Sequence, residues 1–251
     1  MLNIIMNFIK HIGLFLLCLS ISAFSQATNV IELTAGLSKP PFVIENDAQN
    51  PGIQLDLIKA IFAEENQAVG FLHVPLARSF TSIDRWHSDG TITLPSDYQH
   101  ENVFVSEPYI SYQNIIVTLK EDNLSINTFA DLKGKKIIAF QAAQKFLGAE
   151  FAHAVKEAID YQEVADQMRQ IQMLFAKRTQ VLVLDISIFK HFLHKNVGKE
   201  YMKPYKIHQL FMPRVYAAGF KNKQRRDQFN RGLKKIKANG IYQKILDKYL
   251  L

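Results

Sequence analysis

The residues best suited to chemistry in this chain recognise rather than transform. Asp185 closes the apolar run Val181-Leu182-Val183-Leu184, which puts a carboxylate at the mouth of a buried strand. There it can face a cation in a cleft, or cap a helix beginning near Ser187. Arg78 follows Pro75-Leu76-Ala77, where a strand turns into a helix. A cation is unfavourable at the positive end of a helix dipole, so this Arg reads as an anion clamp reaching into a cleft. Phe42 ends the turn Lys39-Pro40-Pro41-Phe42. Proline fixes φ and removes a backbone donor, so the turn holds this ring on a stiff loop. Tyr98, Tyr109 and Tyr112 are candidate aromatic walls, with core packing as the competing role for each.

Covalent chemistry has little support. Ser187-Ile188-Phe189-Lys190 has Ser-x-x-Lys spacing but lacks the partner motifs of penicillin-recognising enzymes. His191 and His194 lie three apart, with no third ligand at a metal-binding spacing. There is no glycine-rich phosphate loop and no Gly-x-Ser-x-Gly elbow. Neither a metal nor a cofactor is expected.

Holding these groups requires alternating strands and helices, an α/β architecture. Gly52 opens a helix over 53–67, with apolar residues at 53, 57, 58, 61 and 62. Strands are expected at 30–33, 71–74, 91–94, 103–105, 114–119, 136–140, 181–184, 205–209 and 215–220. Helices are expected at 78–87, 128–132, 144–158, 165–177, 225–238 and 241–249. Asn239-Gly240 separates the last two as a C-cap. Trp86 follows the spacing of Ser79 and Ile83 and reads as core, and Asp56 as a helix N-terminal charge.

Residues 1–27 read as a targeting segment. Lys10 and His11 precede an apolar run over 12–24, and Ser25-Gln26-Ala27 supplies small residues for cleavage. The run is short for a bilayer span. Cys18 is the only cysteine and follows Leu17, which does not suit a lipoprotein site. Removing the segment leaves no disulfide or thiol chemistry. The mature chain is expected in the periplasm, with 29 basic against 23 acidic side chains. Eight Lys and Arg crowd 221–237 against Asp227 alone. They read as the solvated face of a helix over Phe229, Leu233 and Ile236, not as a nucleic-acid surface.

Several segments together resemble the bacterial extracellular solute-binding proteins of family 3, the amino-acid-binding type. The first is the Lys39–Phe42 turn with Gly52-Ile53-Gln54-Leu55-Asp56-Leu57. Val105-Ser106-Glu107-Pro108-Tyr109 is similar to the family's segment before the hinge, and Phe129 to Ile137 to its second-lobe opening. Val181 to Ser187, Ala218 to Lys221, and Phe229 through Tyr242 follow in order. The resemblance implies a type II periplasmic-binding fold, each lobe a mixed sheet flanked by helices, joined by a two-strand hinge. Lobe one would be 28–114 plus 214–251 and lobe two 115–213, with crossings near 112–116 and 213–216.

The resemblance also implies a site. Asp185 would take a solute's ammonium. The family's carboxylate-clamping Arg is replaced by Gln99, with His100 beside it. The second-lobe Gly-Thr-Thr turn is replaced by Gln141-Ala142-Ala143-Gln144. Arg78, in a segment similar to the Pro-x-x-Arg of stand-alone relatives, would stand in for the lost Arg. The candidate ligand-binding set is therefore Phe42, Arg78, Gln99, Tyr109, Gln141 and Asp185. The function expected is capture of a small amino-acid-like or amine-bearing solute by hinge closure. The chain would act as a monomer, without catalysis, for an ABC permease or a membrane sensor. Two alternatives remain open. One is an enzyme like the cyclohexadienyl dehydratases, with Glu107, Glu163 or His100 as general acid. The other is a sensory or accessory module with degenerate ligand binding.

Overall fold

Two separate sheets carry the chain, and a computed structural model describes residues 30–75, 88–195 and 203–249. In order, the first half supplies Ile31–Gly36 (β1), Ile53–Ala63 (α1), Val69–Val74 (β2), Gly90–Pro95 (β3), Phe104–Val105 (β4) and Ile110–Tyr112 (β5). Next come Asn114–Leu119 (β6), Lys136–Phe140 (β7), Ala143–Phe146 (α2), Ala149–Ala154 (α3), Asp160–Val164 (β8), Gln167–Phe175 (α4) and Val181–Asp185 (β9). Ile186–Lys195 (α5), Tyr205–His208 (β10), Arg214–Phe220 (β11), Lys223–Ala238 (α6) and Ile241–Tyr249 (α7) complete the described elements.

The first sheet has the order β2-β1-β3-β11-β4, with β5 also paired to β11. The second runs β10-β6-β9-β7-β8. Both are mixed: β1 lies parallel to β2 and β3, and β7 parallel to β8 and β9, while β11 and β6 pair antiparallel with their neighbours. The chain passes from the first sheet to the second at Gln113, between β5 and β6, and returns between β10 and β11. Gln113 ties the two passages together, its side-chain amide donating to the Phe211 carbonyl at 2.8 Å.

Alternation explains the second lobe's core. Ile115, Val117, Ile138, Leu182 and Leu184 share a buried cluster with Ile171 and Leu174 of α4 and Phe189 of α5. Ile116, Ile137, Val181 and Val183 fall in another, with Phe151 of α3. Period-two placement sends successive side chains to opposite faces, so both faces of this sheet are apolar. In the first lobe, Ile31, Leu33, Leu57, Ile61 and Phe62 pack with Phe220, Phe229 and Leu233.

Local chemistry sets the element ends. Gly52 has φ 106°, and a Cβ there would lie 2.6 Å from the Phe42 carbonyl oxygen. Only glycine lets the proline turn approach the start of α1 so closely. Asp166 caps α4 by accepting from Arg169 N–H at 3.0 Å, and Asn222 caps α6.

Three expectations need correction. The helix from Ile53 ends at Ala63, short of Gln67, because Asn66 turns the chain at φ 54°. The helix expected over 144–158 is broken into α2, α3 and a 3₁₀ turn, because Gly148 adopts φ 94°. Strands β5 and β8 were not anticipated. β8 is largely exposed and polar, so it carries little of the apolar signal that marks a strand. The helix expected over 78–87, with Arg78 and Trp86, lies outside the described residues, as does the targeting segment.

Candidate functional site

Asp185 ends β9 directly opposite Asn114 of β6 and is only 3% exposed. One carboxylate oxygen accepts from Gln113 N–H at 2.8 Å. The other accepts from Ser187 and Ile188 N–H at 2.7 and 3.2 Å. The capping role and the cavity-facing role therefore coexist. Burial raises the Asp185 pKa to about 6, against the opposing pull of those three backbone donors and of Lys39.

Asp185 lines a small cavity of about 70 Å³ with Lys39, Tyr112, Asn114, Gln167 and Tyr216. Lys39, Thr93, Phe140, Phe146 and Gln167 also border a wider cleft of about 500 Å³, where Glu45, Gln54, Gln141, Lys145 and Asp166 join them. With five residues in common, the inner cavity and the wider space are parts of one cleft between the lobes. The wider part falls within the roughly 300–1,000 Å³ of small-molecule sites.

Lys39 enters from the first-lobe loop. Its backbone N–H donates to Val43 O at 2.7 Å, and its carbonyl accepts from Phe42 and Val43, which closes the proline turn. Lys39 is half-buried as a residue, and its ammonium stands 4.3 Å from the Tyr112 ring centroid and 5.7 Å from that of Phe42, a cation–π arrangement. Burial lowers its pKa to about 8, offset in part by the Asp185 charge.

The aromatic wall is braced from behind. The Tyr112 hydroxyl donates to Gln54 Oε1 at 2.7 Å, and Gln54 Nε2 donates to Thr93 Oγ1 and the Tyr109 hydroxyl. Tyr109 in turn donates to the Ile92 carbonyl at 2.7 Å. Gln54 is fully buried at the start of α1, so a satisfied polar network fixes the Tyr112 ring.

The candidate residues fall into three groups. Asp185 and Gln141 border the cleft, Gln141 at its exposed rim. Phe42 and Tyr109 are 2% and 1% exposed and sit behind the wall, Phe42 stacked on Tyr112 with centroids 4.1 Å apart. Both are expected to touch a solute, and here both are covered by the core and brace Tyr112, Phe42 by stacking and Tyr109 through Gln54. Gln99 lines a separate shallow depression with Tyr98, His100 and Arg226, away from the cavity at Asp185. Arg78 lies outside the described residues.

The second-lobe turn has an occupant of its own. Glu163, on β8, accepts from the backbone N–H groups of Ala142 and Gln144 at 2.7 and 3.0 Å, and from the Tyr161 hydroxyl at 2.8 Å. Ala142 takes the left-handed conformation, φ 64°, at this turn. These amides are therefore already matched by the chain's own carboxylate. Glu107 and His100 do not border the cavity at Asp185 either. His191 packs edge-on against Phe192. Among the described residues no group of three His, Cys, Asp or Glu is placed to hold a metal, and no helix is long and apolar enough to cross a membrane.

The sequence reading missed Lys39, Gln54, Gln167 and Tyr216. Lys39 and Gln54 lie within the opening motif, and the signal was there: a cation ahead of a double-proline turn and an amide between Ile53 and Leu55. Gln167 and Tyr216 had no local mark.

Comparison with known proteins agrees with this architecture. The sequence profile of the bacterial extracellular solute-binding proteins, family 3, matches residues 33–251. The arginine-binding periplasmic protein of Mannheimia haemolytica is 26% identical over 235 residues, covering 90% of this chain and 92% of the relative. The histidine-binding periplasmic protein of Salmonella typhimurium is 25% identical, covering 91% and 90%. An ABC uptake transporter substrate-binding protein from Streptococcus pneumoniae, solved with bound histidine, superposes with a TM-score of 0.68. It is 18% identical and covers 87% of this chain and 92% of its own. A two-lobed fold, a cleft between mixed sheets and a profile match over nearly all the described residues place this chain in the family: it belongs to the bacterial extracellular solute-binding proteins, family 3.

Proposed function

We propose that this solute-binding protein closes its lobes on a small amine-bearing, amino-acid-like solute in the periplasm and presents it to an ABC permease or a membrane sensor. The moving bodies are residues 28–114 with 214–251, and 115–213. Residues 1–27 direct export, and the mature chain acts as a monomer that binds without turnover.

One observation carries the solute class: the buried Asp185 carboxylate shares its cavity with Gln167, whose side-chain oxygen is buried without a hydrogen-bond partner. A buried acceptor left unmatched costs about 1–3 kcal/mol. A solute N–H group would recover that loss and set a positive charge against Asp185. The relatives named for arginine and histidine point the same way. Closure gains from contacts that exist only when both lobes touch the solute.

The test is a thermal-shift panel of cationic, neutral and acidic amino acids and polyamines on the purified protein. A cationic solute at about a hundred times its dissociation constant should add roughly 2.7 kcal/mol of stability. A response to acidic solutes alone would overturn the assignment.

A further inference from the structure

The cleft holds two unmatched polar groups of opposite kind, one from each lobe. Lys39 projects from the first-lobe loop, and its ammonium meets only the faces of Tyr112 and Phe42. Among the described residues its ammonium makes no hydrogen bond, and Asp185, whose charge acts on it, is not within the 4.0 Å of an ion pair. Asp185 is in any case engaged by three backbone N–H groups. From the second lobe, the Gln167 side-chain oxygen is buried without a donor. Both residues line the inner cavity and the wider cleft.

A buried ammonium with donors to spare calls for an anionic oxygen, and a buried amide oxygen calls for an N–H. Resting on the reading above that the cleft takes an amine, we infer that Lys39 binds the carboxylate of a zwitterionic solute while Gln167 Oε1 and Asp185 receive its ammonium. Among the described residues, two places that the family resemblance offered for the carboxylate are closed to it. Gln99 lies in a separate depression, and the Ala142 and Gln144 amides are held by Glu163. On this inference Lys39 separates an amino acid from a bare amine, and its contact joins the first lobe to a solute held by the second.

The experiment is calorimetry of the purified protein with two pairs of probes that differ only in the carboxylate: L-arginine against agmatine, and L-histidine against histamine. The wild type should bind the carboxylate-bearing member of a pair at least tenfold more tightly. In Lys39→Met, which keeps a flexible chain over the Tyr112 ring, that ratio should fall below threefold. Lys39→Arg should restore it. Gln167→Leu should weaken both members of a pair at least fivefold, leaving their ratio in place.

A ratio unchanged in Lys39→Met overturns the inference. So does tighter amine binding by Lys39→Met, which would make Lys39 a tethered counter-ion that the solute displaces. Equal wild-type binding of both members, lost in Asp185→Ser, overturns the Lys39 assignment while the amine reading stands. No wild-type binding of any of the four probes overturns both.

Discussion

Asp185 does two things with one carboxylate, and the two can be separated. Its oxygens cap the start of α5 and brace the chain at Gln113. Serine is also a good N-cap, so Asp185→Ser should keep α5 capped while removing the charge. We expect far-UV circular dichroism to stay as in the wild type while calorimetry registers at least a thirtyfold loss of arginine affinity, about 2 kcal/mol. The charge also predicts a pH dependence. Burial puts the folded-state pKa of Asp185 near 6, above its unfolded value. The associated stability of the unliganded protein is present at low pH and is lost as pH rises through about 6. Cation binding has the opposite sign, because it needs the ionised carboxylate. Arginine affinity should climb about tenfold between pH 5 and pH 7, an interval in which Lys39 stays largely charged, and fall again as pH rises past about 8. Flat calorimetric affinity across that interval would remove Asp185 from the solute contact.

Among the elements, the packing of α6 on α1 has the least tolerance. Gly232 lies in α6, and a Cβ there would come 2.1 Å from the Ile61 carbonyl oxygen of α1. Alanine is the better helix former by about 1 kcal/mol, yet the clash would force the helices apart. Gly232→Ala should therefore lower stability by about 1 kcal/mol or more in urea unfolding. A gain would mean that intrinsic propensity outweighs the close approach. The same helix shows why a run of basic residues is not itself a binding surface. Phe229, Leu233 and Ile236 are fully buried beneath it. Arg231 and Lys235 both bond Glu65, at 2.6 and 3.0 Å.

Across the whole molecule, what matters is how the two sheets can move. Among the described residues two passages join them, and the bond from Gln113 to the Phe211 carbonyl keeps those passages together. A bond beyond this pair also spans the cleft: Arg214, at the start of β11, donates to the Phe146 carbonyl at the end of α2 at 2.7 Å. Arg214→Ala removes a charge-assisted bond that favours the closed arrangement. Small-angle scattering should give the unliganded variant a larger radius of gyration than the wild type, and saturating solute should return both to one value. Equal radii without solute would show that this bond does not hold the lobes.

Much of the fold was legible in the sequence because it rests on local pattern. β6 and β7 follow from apolar runs, and α7 from its helical spacing after Asn239-Gly240; all three have the expected bounds. Asp185 was legible for the same reason, as the one polar residue closing a buried run. The breaks that were missed are conformational: Gly148 and Asn66 at positive φ interrupt patterns that composition alone would extend. The lining of the cleft belongs to tertiary structure. Lys39 meets Tyr112 across 73 positions of chain, and Glu163 reaches Gln144 N–H from 19 residues away. Phe42 and Tyr109 lie behind the wall because the core closes over them. Periodicity is a property of neighbours along the chain, so it can name strands and helices. Which charge goes unanswered in a cavity depends on groups brought together only when the two sheets fold against their helices.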